Sequence, residues 1–262
     1  MKKTVRLPRT PYEKIWGSPL TEPWYPNAEA AKIGEIWFTA SESVPILVKF
    51  LFTSDNLSIQ VHPGGATGKT EMWHILRAGP GAKIGLGLKR SVSPAELRKA
   101  ALTGEIVDLL NWIPVKPGET YFTPAGTVHA LGGDIALCEI QQRSDITYRL
   151  YDWGRTGREL HLDQGIAVSF PEPATGAVAP RRLESHRHSL VECEYFNTEH
   201  LLVRGSVVFP AQPGRSLAVV LTGSGLIDGQ EFTAGETWEI EPDGPIEISS
   251  DDAAFLITAV PA

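Results

Sequence analysis

The sequence predicts a mainly β protein built as two barrel-like units, with a short helical insertion in or beside the first. Three observations carry this. Short runs of alternating apolar and polar residues recur along the 262 residues, and most close on a Gly- or Pro-bearing turn, the pattern of half-buried strands. The stretch GETYFTPAG at 118–126 is echoed by GETWEIEPDG at 235–244, one residue longer, so both halves read as variants of one unit. Strong helix signals are confined to 93–110.

Composition narrows the function classes. A hydrophobic fraction of 42% with 21% charged residues is that of an ordinary soluble globule, and 25 glycines and 20 prolines fit many turns. The formal net charge of −7 offers no general positive field to nucleic acid or an anionic membrane, but leaves room for a local basic pocket. Cys138 and Cys193 lie far apart without a CxxC spacing and indicate neither a disulfide scaffold nor a cysteine metal site; Cys138 reads as a small core group. With no apolar signal segment and no bilayer-length run, the expected compartment is the cytoplasm.

Taken in order, residues 1–34 read as irregular, because prolines at 8, 11, 19, 23 and 26 forbid a long helix or a central strand. The aromatics between them (Tyr12, Trp16, Trp24, Tyr25) mark an arm packed on a folded body. Strands are expected over 34–39, 46–52, 57–62 and 68–76, with a shorter one at 84–88. Ser93 as cap, Pro94 in the first turn and Glu96 to complete a capping box predict a helix over 94–102, stopped by Gly104. Ile106, Leu109 and Leu110 predict a second short helix. Strands at 135–140 and 146–151 follow, then a turn of helix around 164–168. Residues 171–182, PEPATGAVAPRR, bury little and read as a linker between a first domain, 1–170, and a smaller β domain, 183–262. Strands of the latter are expected at 191–196, 201–209, 216–222, 225–228, 237–240, 246–248 and 254–260.

The chemistry gathers in the first unit. Gln60 and His62 are two apart on a strand, so both leave one face about 7 Å apart, a reach that can close on one metal ion. Lys69 and Glu71 share a face of the next strand. The pattern G-x5-P-x-G-x2-H, running from Gly118 through Pro124 and Gly126 to His129, delivers a second imidazole at the head of a strand. Together Gln60, His62, Glu71 and His129 form a mixed N/O donor set for zinc or another first-row divalent ion. Lys69, beside that set, would have its amine pKa depressed by a bound cation and could meet an anionic substrate or act as a base. Glu139 is a carboxylate within an apolar strand. Arg149 lies between Tyr148 and Leu150, where an unpaired guanidinium is costly, so it calls for Glu139, Glu71 or a substrate anion. His74, His161, His186, His188 and His200 lack a partner pattern and read as structural or surface residues. GGATGKT at 64–70 is no phosphate loop, because no strand–loop–helix order surrounds it. The second copy of the echo offers Ile246 or Glu247 where the first has His129, and no Gln-x-His, so a metal would belong to the first unit alone.

The turn at 118–129 matches half of the pattern of cupin barrels. More specifically, IQVHP at 59–63, GKTE at 68–71, VKPG at 115–118, PAGTVHA at 124–130 and EIQQRSDITYR at 139–149 together resemble type I mannose-6-phosphate isomerases (phosphomannose isomerases). The resemblance spans about 8–170 and includes PYEKIWG at 11–17 and GEIW at 34–37. It implies two cupin-like (jelly-roll) β-barrels and one Zn2+ per chain held by Gln60, His62, Glu71 and His129, in a pocket lined by Lys69, Glu139 and Arg149. The implied reaction interconverts mannose 6-phosphate and fructose 6-phosphate through a zinc-stabilised cis-enediol(ate), with a small phosphorylated sugar as the partner and a monomer or homodimer as the assembly. Glu139 and Lys69 are both candidates for the proton transfer, with Glu139 favoured and Lys69 placed toward the substrate phosphate. The sequence departs from the family in carrying Gly64-Gly65 where an acidic pair is usual, and in lacking the larger helical domain of longer members. Two other readings of the same residues are a metal-dependent cupin oxygenase, with Fe(II) on two histidines and a carboxylate, and a non-catalytic sugar-binding cupin.

Overall fold

The computed structural model describes residues 3–26, 31–173, 176–242 and 244–261. In the first half, a six-stranded antiparallel sheet runs in the order Thr10–Ser18, Ile33–Thr39, Ile46–Thr53, Ile135–Gln142, Glu71–Ala78, Thr120–Thr123. A five-stranded sheet runs Tyr148–Tyr151, Ile59–Val61, His129–Leu131, Lys83–Leu88, Leu110–Pro114. The two strands central to the larger sheet, Ile46–Thr53 and Ile135–Gln142, are buried at every position, because both of their faces are covered. The side bearing Phe50, Phe52, Met72, Cys138 and Ile140 packs on Leu217, Val219, Leu221 and Leu256 of the second half. The opposite side, with Leu51, Trp73, Ile75 and Leu137, packs on Ile84, Leu86 and Leu131 of the five-stranded sheet. By the two-residue period, Lys49, Glu71 and Glu139 point to this second side, between the two sheets.

The second half is one nine-stranded sheet whose main path runs Thr4–Arg6, Thr237–Ile240, Ser216–Thr222, Ile246–Ala259, Asn197–Phe209, Arg187–Glu192, Arg181–Arg182, with the hairpin Ser224–Ile227 and Gln230–Thr233 attached to Ile246–Ala259. None of the three sheets closes on itself, so among the described residues open, facing sheets stand where two barrels were expected. Side-chain packing rather than a hydrogen-bond ladder joins one sheet to the next.

Three local expectations are corrected. Of the arm expected over 1–34, residues 1–2 and 27–30 lie outside the described residues, and the rest is not irregular throughout: Thr10–Ser18 is a strand, possible despite Pro11 because it lies at a sheet edge and shifts register after Tyr12. Thr4–Arg6 crosses to pair with Thr237–Ile240 of the other half. The strands expected at 246–248 and 254–260 are one continuous strand, Ile246–Ala259. The helix Pro94–Thr103 begins as expected, with the Ser93 hydroxyl accepting from the Glu96 N–H at 3.1 Å and Gly104 left-handed at φ 84°. The Glu96 carboxylate, however, goes to Arg90. A four-residue helix, Ile106–Leu109, and a helix Leu162–Val168 complete the insertion and its cover. Within 171–182, Val178 donates its N–H to the Thr120 carbonyl at 2.7 Å, so this segment is tied to the first half.

The sequence echo is structural. Gly118 and Gly235 are left-handed, at φ 87° and 81°. The glutamate that follows each accepts from the backbone N–H three residues before it and from the aromatic side chain two residues after it. Glu119 takes Lys116 at 2.7 Å and the Tyr121 hydroxyl at 2.8 Å; Glu236 takes Thr233 at 3.4 Å and the Trp238 indole at 3.2 Å.

Candidate metal and active site

His62, Glu71 and His129 converge between the two sheets of the first half, all buried, with one ligand-capable atom of each within 4.8 Å of the others. His129 opens the strand His129–Leu131 and lies opposite Gln60 in the neighbouring strand. Gly126, left-handed at φ 86°, makes the turn that delivers it. Each imidazole is oriented by a backbone carbonyl: Nδ1 of His62 donates to Ile146 and Nδ1 of His129 donates to Thr127, both at 2.8 Å. That fixes the tautomer and leaves each Nε2 as a lone pair facing Glu71, at 3.7 Å from His62 and 3.4 Å from His129. Burial, reinforced by the Lys69 ammonium, holds His62 well below the ordinary histidine range, and burial takes His129 down to about 4. Both are therefore neutral, as ligands must be.

Glu71 supplies the strongest sign that these residues suit a cation. Its carboxylate is 1% exposed, and apart from an ion pair with Lys69 Nζ at 2.5 Å neither oxygen accepts a well-formed hydrogen bond. A buried carboxylate without hydrogen bonds is costly unless a further positive charge meets it. Two neutral imidazoles and this carboxylate fit a first-row divalent ion. Gln60 stands beside them, but with its amide nitrogen 3.3 Å from His129 Nε2 and its oxygen accepting from the Ser58 hydroxyl at 3.0 Å.

Next to this cluster lies a cavity of about 290 Å³, lined by Gln60, Lys69, Glu71, His129, Glu139 and Arg149 among others. Lys69 Nζ bridges the two buried carboxylates, 2.5 Å from Glu71 and 3.2 Å from Glu139. Burial disfavours its charge, but Glu139 and Glu71 outweigh that and hold the ammonium above the usual lysine range. Wedged between carboxylates at the inner end, it is not placed to hold a phosphate. Glu139 accepts from Lys69 and from the Trp73 indole at 3.1 Å, and burial pushes its carboxyl up despite the Lys69 charge. Arg149 pairs with neither Glu139 nor Glu71: its Nη1 donates to the Glu159 carbonyl at 2.8 Å, and its buried Nε has no partner. Glu139 is already taken by Lys69, Trp73 and Lys49, while Arg149 sits on an edge strand of the other sheet.

Sequence reasoning missed Lys49 and Arg158, which line the same cavity. Lys49 is 2% exposed, lies over the Trp37 ring at 4.1 Å, and pairs with Asp145 at 2.9 Å and Glu139 at 3.8 Å. A lone lysine in the apolar run ILVKFLFT was the available signal. Of the other histidines, His74 and His200 are stacked with ring centroids 5.7 Å apart where the two halves meet, and His161 accepts from the Arg149 N–H at 3.2 Å.

Comparison with known proteins points to one family. The chain is 37% identical over 209 residues to mannose-6-phosphate isomerase of Streptococcus mutans, covering 74% of this chain and 66% of that protein. It is 37% identical over 207 residues to mannose-6-phosphate isomerase ManA of Bacillus subtilis, covering 72% and 65%. The chain belongs to the mannose-6-phosphate isomerase family. These matches span just under two thirds of either relative's length. No family model matches the chain. Among solved structures, a mannose 6-phosphate isomerase from Bacillus subtilis has the same fold, with a TM-score of 0.89 at 23% identity over 99% of this chain and 100% of that one. A phosphomannose isomerase from Salmonella typhimurium superposes with a TM-score of 0.80 at 16% identity, covering both chains fully. No helix among the described residues is long and apolar enough to cross a membrane.

Proposed function

We propose that the chain is an aldose–ketose isomerase that interconverts mannose 6-phosphate and fructose 6-phosphate, the activity its sequence relatives are named for. The observation that carries this reading is the buried His62, Glu71 and His129 cluster opening directly onto a cavity that holds a Lys69–Glu139 ion pair. His62, Glu71 and His129 would hold a Zn2+ ion, with Gln60 as the fourth ligand once its amide turns its oxygen inward. Bound there, the ion would act as a Lewis acid that polarises and orients the sugar oxygens.

The remaining roles fall to this chain's own groups. Isomerisation removes a proton from C2 and returns one to C1 through a cis-enediol(ate), so one group must serve as base and then as acid. Glu139 suits that role, because burial raises its carboxyl toward the working pH while Lys69 and the Trp73 indole steady its charged form. Lys69 keeps a positive charge at the inner end as negative charge develops on the substrate oxygens. Arg149 offers a guanidinium to a substrate anion. In this reading the catalytic domain is 1–170 and 183–262 is a metal-free cupin-like companion, in a cytoplasmic enzyme.

The same two histidines and carboxylate also suit Fe(II), so metal analysis together with an oxygen-uptake assay separates an oxygenase from an isomerase. The decisive assay couples fructose 6-phosphate formation from mannose 6-phosphate with added zinc, on the wild type and on Glu139→Gln. Turnover in the wild type and a loss of at least about a hundredfold in the variant, at unchanged zinc content, is expected. Full activity in Glu139→Gln would remove Glu139 from the proton transfer, and sugar binding without turnover in the wild type would favour a binding protein.

A further inference from the structure

Between the strands Ile59–Val61 and Glu71–Ala78, residues 62–70 belong to no sheet, yet they carry His62 and Lys69 and set where Glu71 begins. Two turn bonds close this loop, from the Gly68 N–H to the Gly65 carbonyl at 2.9 Å and from the Lys69 N–H to the Pro63 carbonyl at 3.0 Å. Its glycines add no side chain to pin it, and at Gly68 a Cβ would fall 2.6 Å from the Gly64 carbonyl carbon. The hold comes from the end of the strand Ile135–Gln142. We propose that Gln142 is the positioning residue that fixes Lys69 and Glu71 in the site, and that the Thr70 hydroxyl carries this hold on to the turn that delivers His129. The proposal rests on the metal-isomerase reading above and adds what keeps these groups in register.

Gln142 is buried and, by the two-residue period, lies on the opposite face of its strand from Glu139, so it acts from outside the cavity. Its amide makes two different bonds: Oε1 accepts the Thr70 N–H at 2.8 Å, and Nε2 donates to the Gly65 carbonyl at 3.1 Å. An N–H on one side and a carbonyl on the other call for an acceptor and a donor side by side, which an amide supplies and an apolar side chain does not. The Gln142 N–H adds a bond to the Thr70 carbonyl at 3.0 Å, and the Ser144 hydroxyl donates to the Thr67 carbonyl at 2.8 Å. One short stretch, 142–144, thus grips the loop at Gly65, Thr67 and Thr70. Thr70 stands between Lys69 and Glu71, so fixing its backbone fixes where both side chains start. Lys69 Nζ then meets Glu139 at 3.2 Å and comes within 3.4 Å of His62 Nε2. The buried Thr70 hydroxyl accepts the Ala125 N–H at 3.2 Å, in the turn that leads to His129. The His62 carbonyl, in turn, accepts the Gly126 N–H at 2.8 Å. The segments carrying His62, Glu71 and His129 are so tied to one another by bonds that touch no reacting atom. Partners that orient ligands from behind are worth about 10–100-fold in metal affinity.

The test titrates zinc into the metal-stripped full chain in competition with a chelator, alongside turnover. Gln142→Met keeps the side chain's length and loses both amide bonds. It should weaken zinc binding about tenfold or more and lower kcat by a similar factor, with the KM for mannose 6-phosphate little changed. Thr70→Val should weaken zinc binding likewise, and Thr70→Ser, which keeps the hydroxyl, should restore it. Thr198→Val breaks the buried hydroxyl bond to Thr258 at 3.0 Å in the second half; it controls for lost stability and should leave zinc affinity unchanged. Unchanged zinc affinity in Gln142→Met, or an equal loss in Thr198→Val, would overturn the proposal. Zinc binding as weak in Thr70→Ser as in Thr70→Val would overturn the link through the hydroxyl. If the wild type fails to isomerise mannose 6-phosphate, the functional reading falls, and the zinc affinities still decide. If it binds no zinc, amide hydrogen exchange decides. Faster exchange in Gln142→Met at both Thr70 and Ala125 supports the proposal; a change confined to Thr70, or none, refutes it.

Discussion

The histidine pair between the two halves makes a quantitative prediction about acid stability. His74 is 6% exposed, stacks on His200 at 5.7 Å, and its Nδ1 meets the Thr120 hydroxyl at 3.0 Å. Burial, and then the neighbouring His200, pulls its pKa down to about 4. An unfolded histidine titrates near 6.5. The stability that depends on a neutral His74 is therefore fully present above about pH 7 and is lost as the pH falls, because the unfolded chain takes up the proton first. At pH 5 the unfolded group is almost fully protonated and the folded one only about one tenth so, a penalty of about 2 kcal/mol. Urea unfolding at pH 8 and pH 5, on the wild type and on His74→Phe, isolates this contribution, since every other titrating group is common to both. His74→Phe should lose less stability than the wild type between the two pH values, by about 2 kcal/mol. Equal pH dependence in the two proteins would refute the assignment of a buried neutral imidazole there.

Two further predictions concern how the site is held. Gly126→Ala places a Cβ 2.3 Å from the Phe170 ring at a φ of 86°; the ring is exposed and can swing aside, but the left-handed strain remains, about 1–2 kcal/mol. The variant should therefore melt several degrees lower in calorimetry and bind zinc more weakly, because His129 leaves the same turn. Trp73→Phe removes an indole donor to the Glu139 carboxylate, which favoured its charged form, so the acid limb of the kcat–pH profile should move to higher pH; an unmoved limb would mean that Glu139 does not govern it.

Much of the site was legible because strands impose a simple geometry. Gln60, His62, Lys69, Glu71, His129 and Glu139 could be placed on faces by counting in twos, and the turn around Gly126 announced His129. What could not be read was which buried groups would pair. Arg149 calls for Glu139, Glu71 or a substrate anion, and neither carboxylate takes it: partner choice depends on which strands face across the cavity, and Glu139 is claimed by Lys49 and Lys69. Nor does the spacing show that Lys69 lies between two carboxylates, whose charges outweigh its burial. Lys49 stands alone in an apolar run that names no partner for it, and Arg158 lies in a Gly-bearing loop with no periodicity to assign it a direction. The arm failed for a related reason: proline forbids a central strand, not the edge strand Thr10–Ser18, and edge positions are a property of the sheet. Barrel closure likewise depends on contacts among all the strands, which no local pattern records.

On the proposed function, isomerisation requires one metal centre formed by His62, Glu71 and His129. This requirement is tested most directly by measuring zinc content and mannose 6-phosphate turnover together, in the wild type, after chelation, and in His129→Ala. About one zinc per wild-type chain is expected, with loss of turnover on chelation, recovery on zinc addition, and a His129→Ala protein that is folded, zinc-poor and inactive. A His129→Ala variant that keeps its turnover, or a chelated wild type that stays fully active, would contradict it.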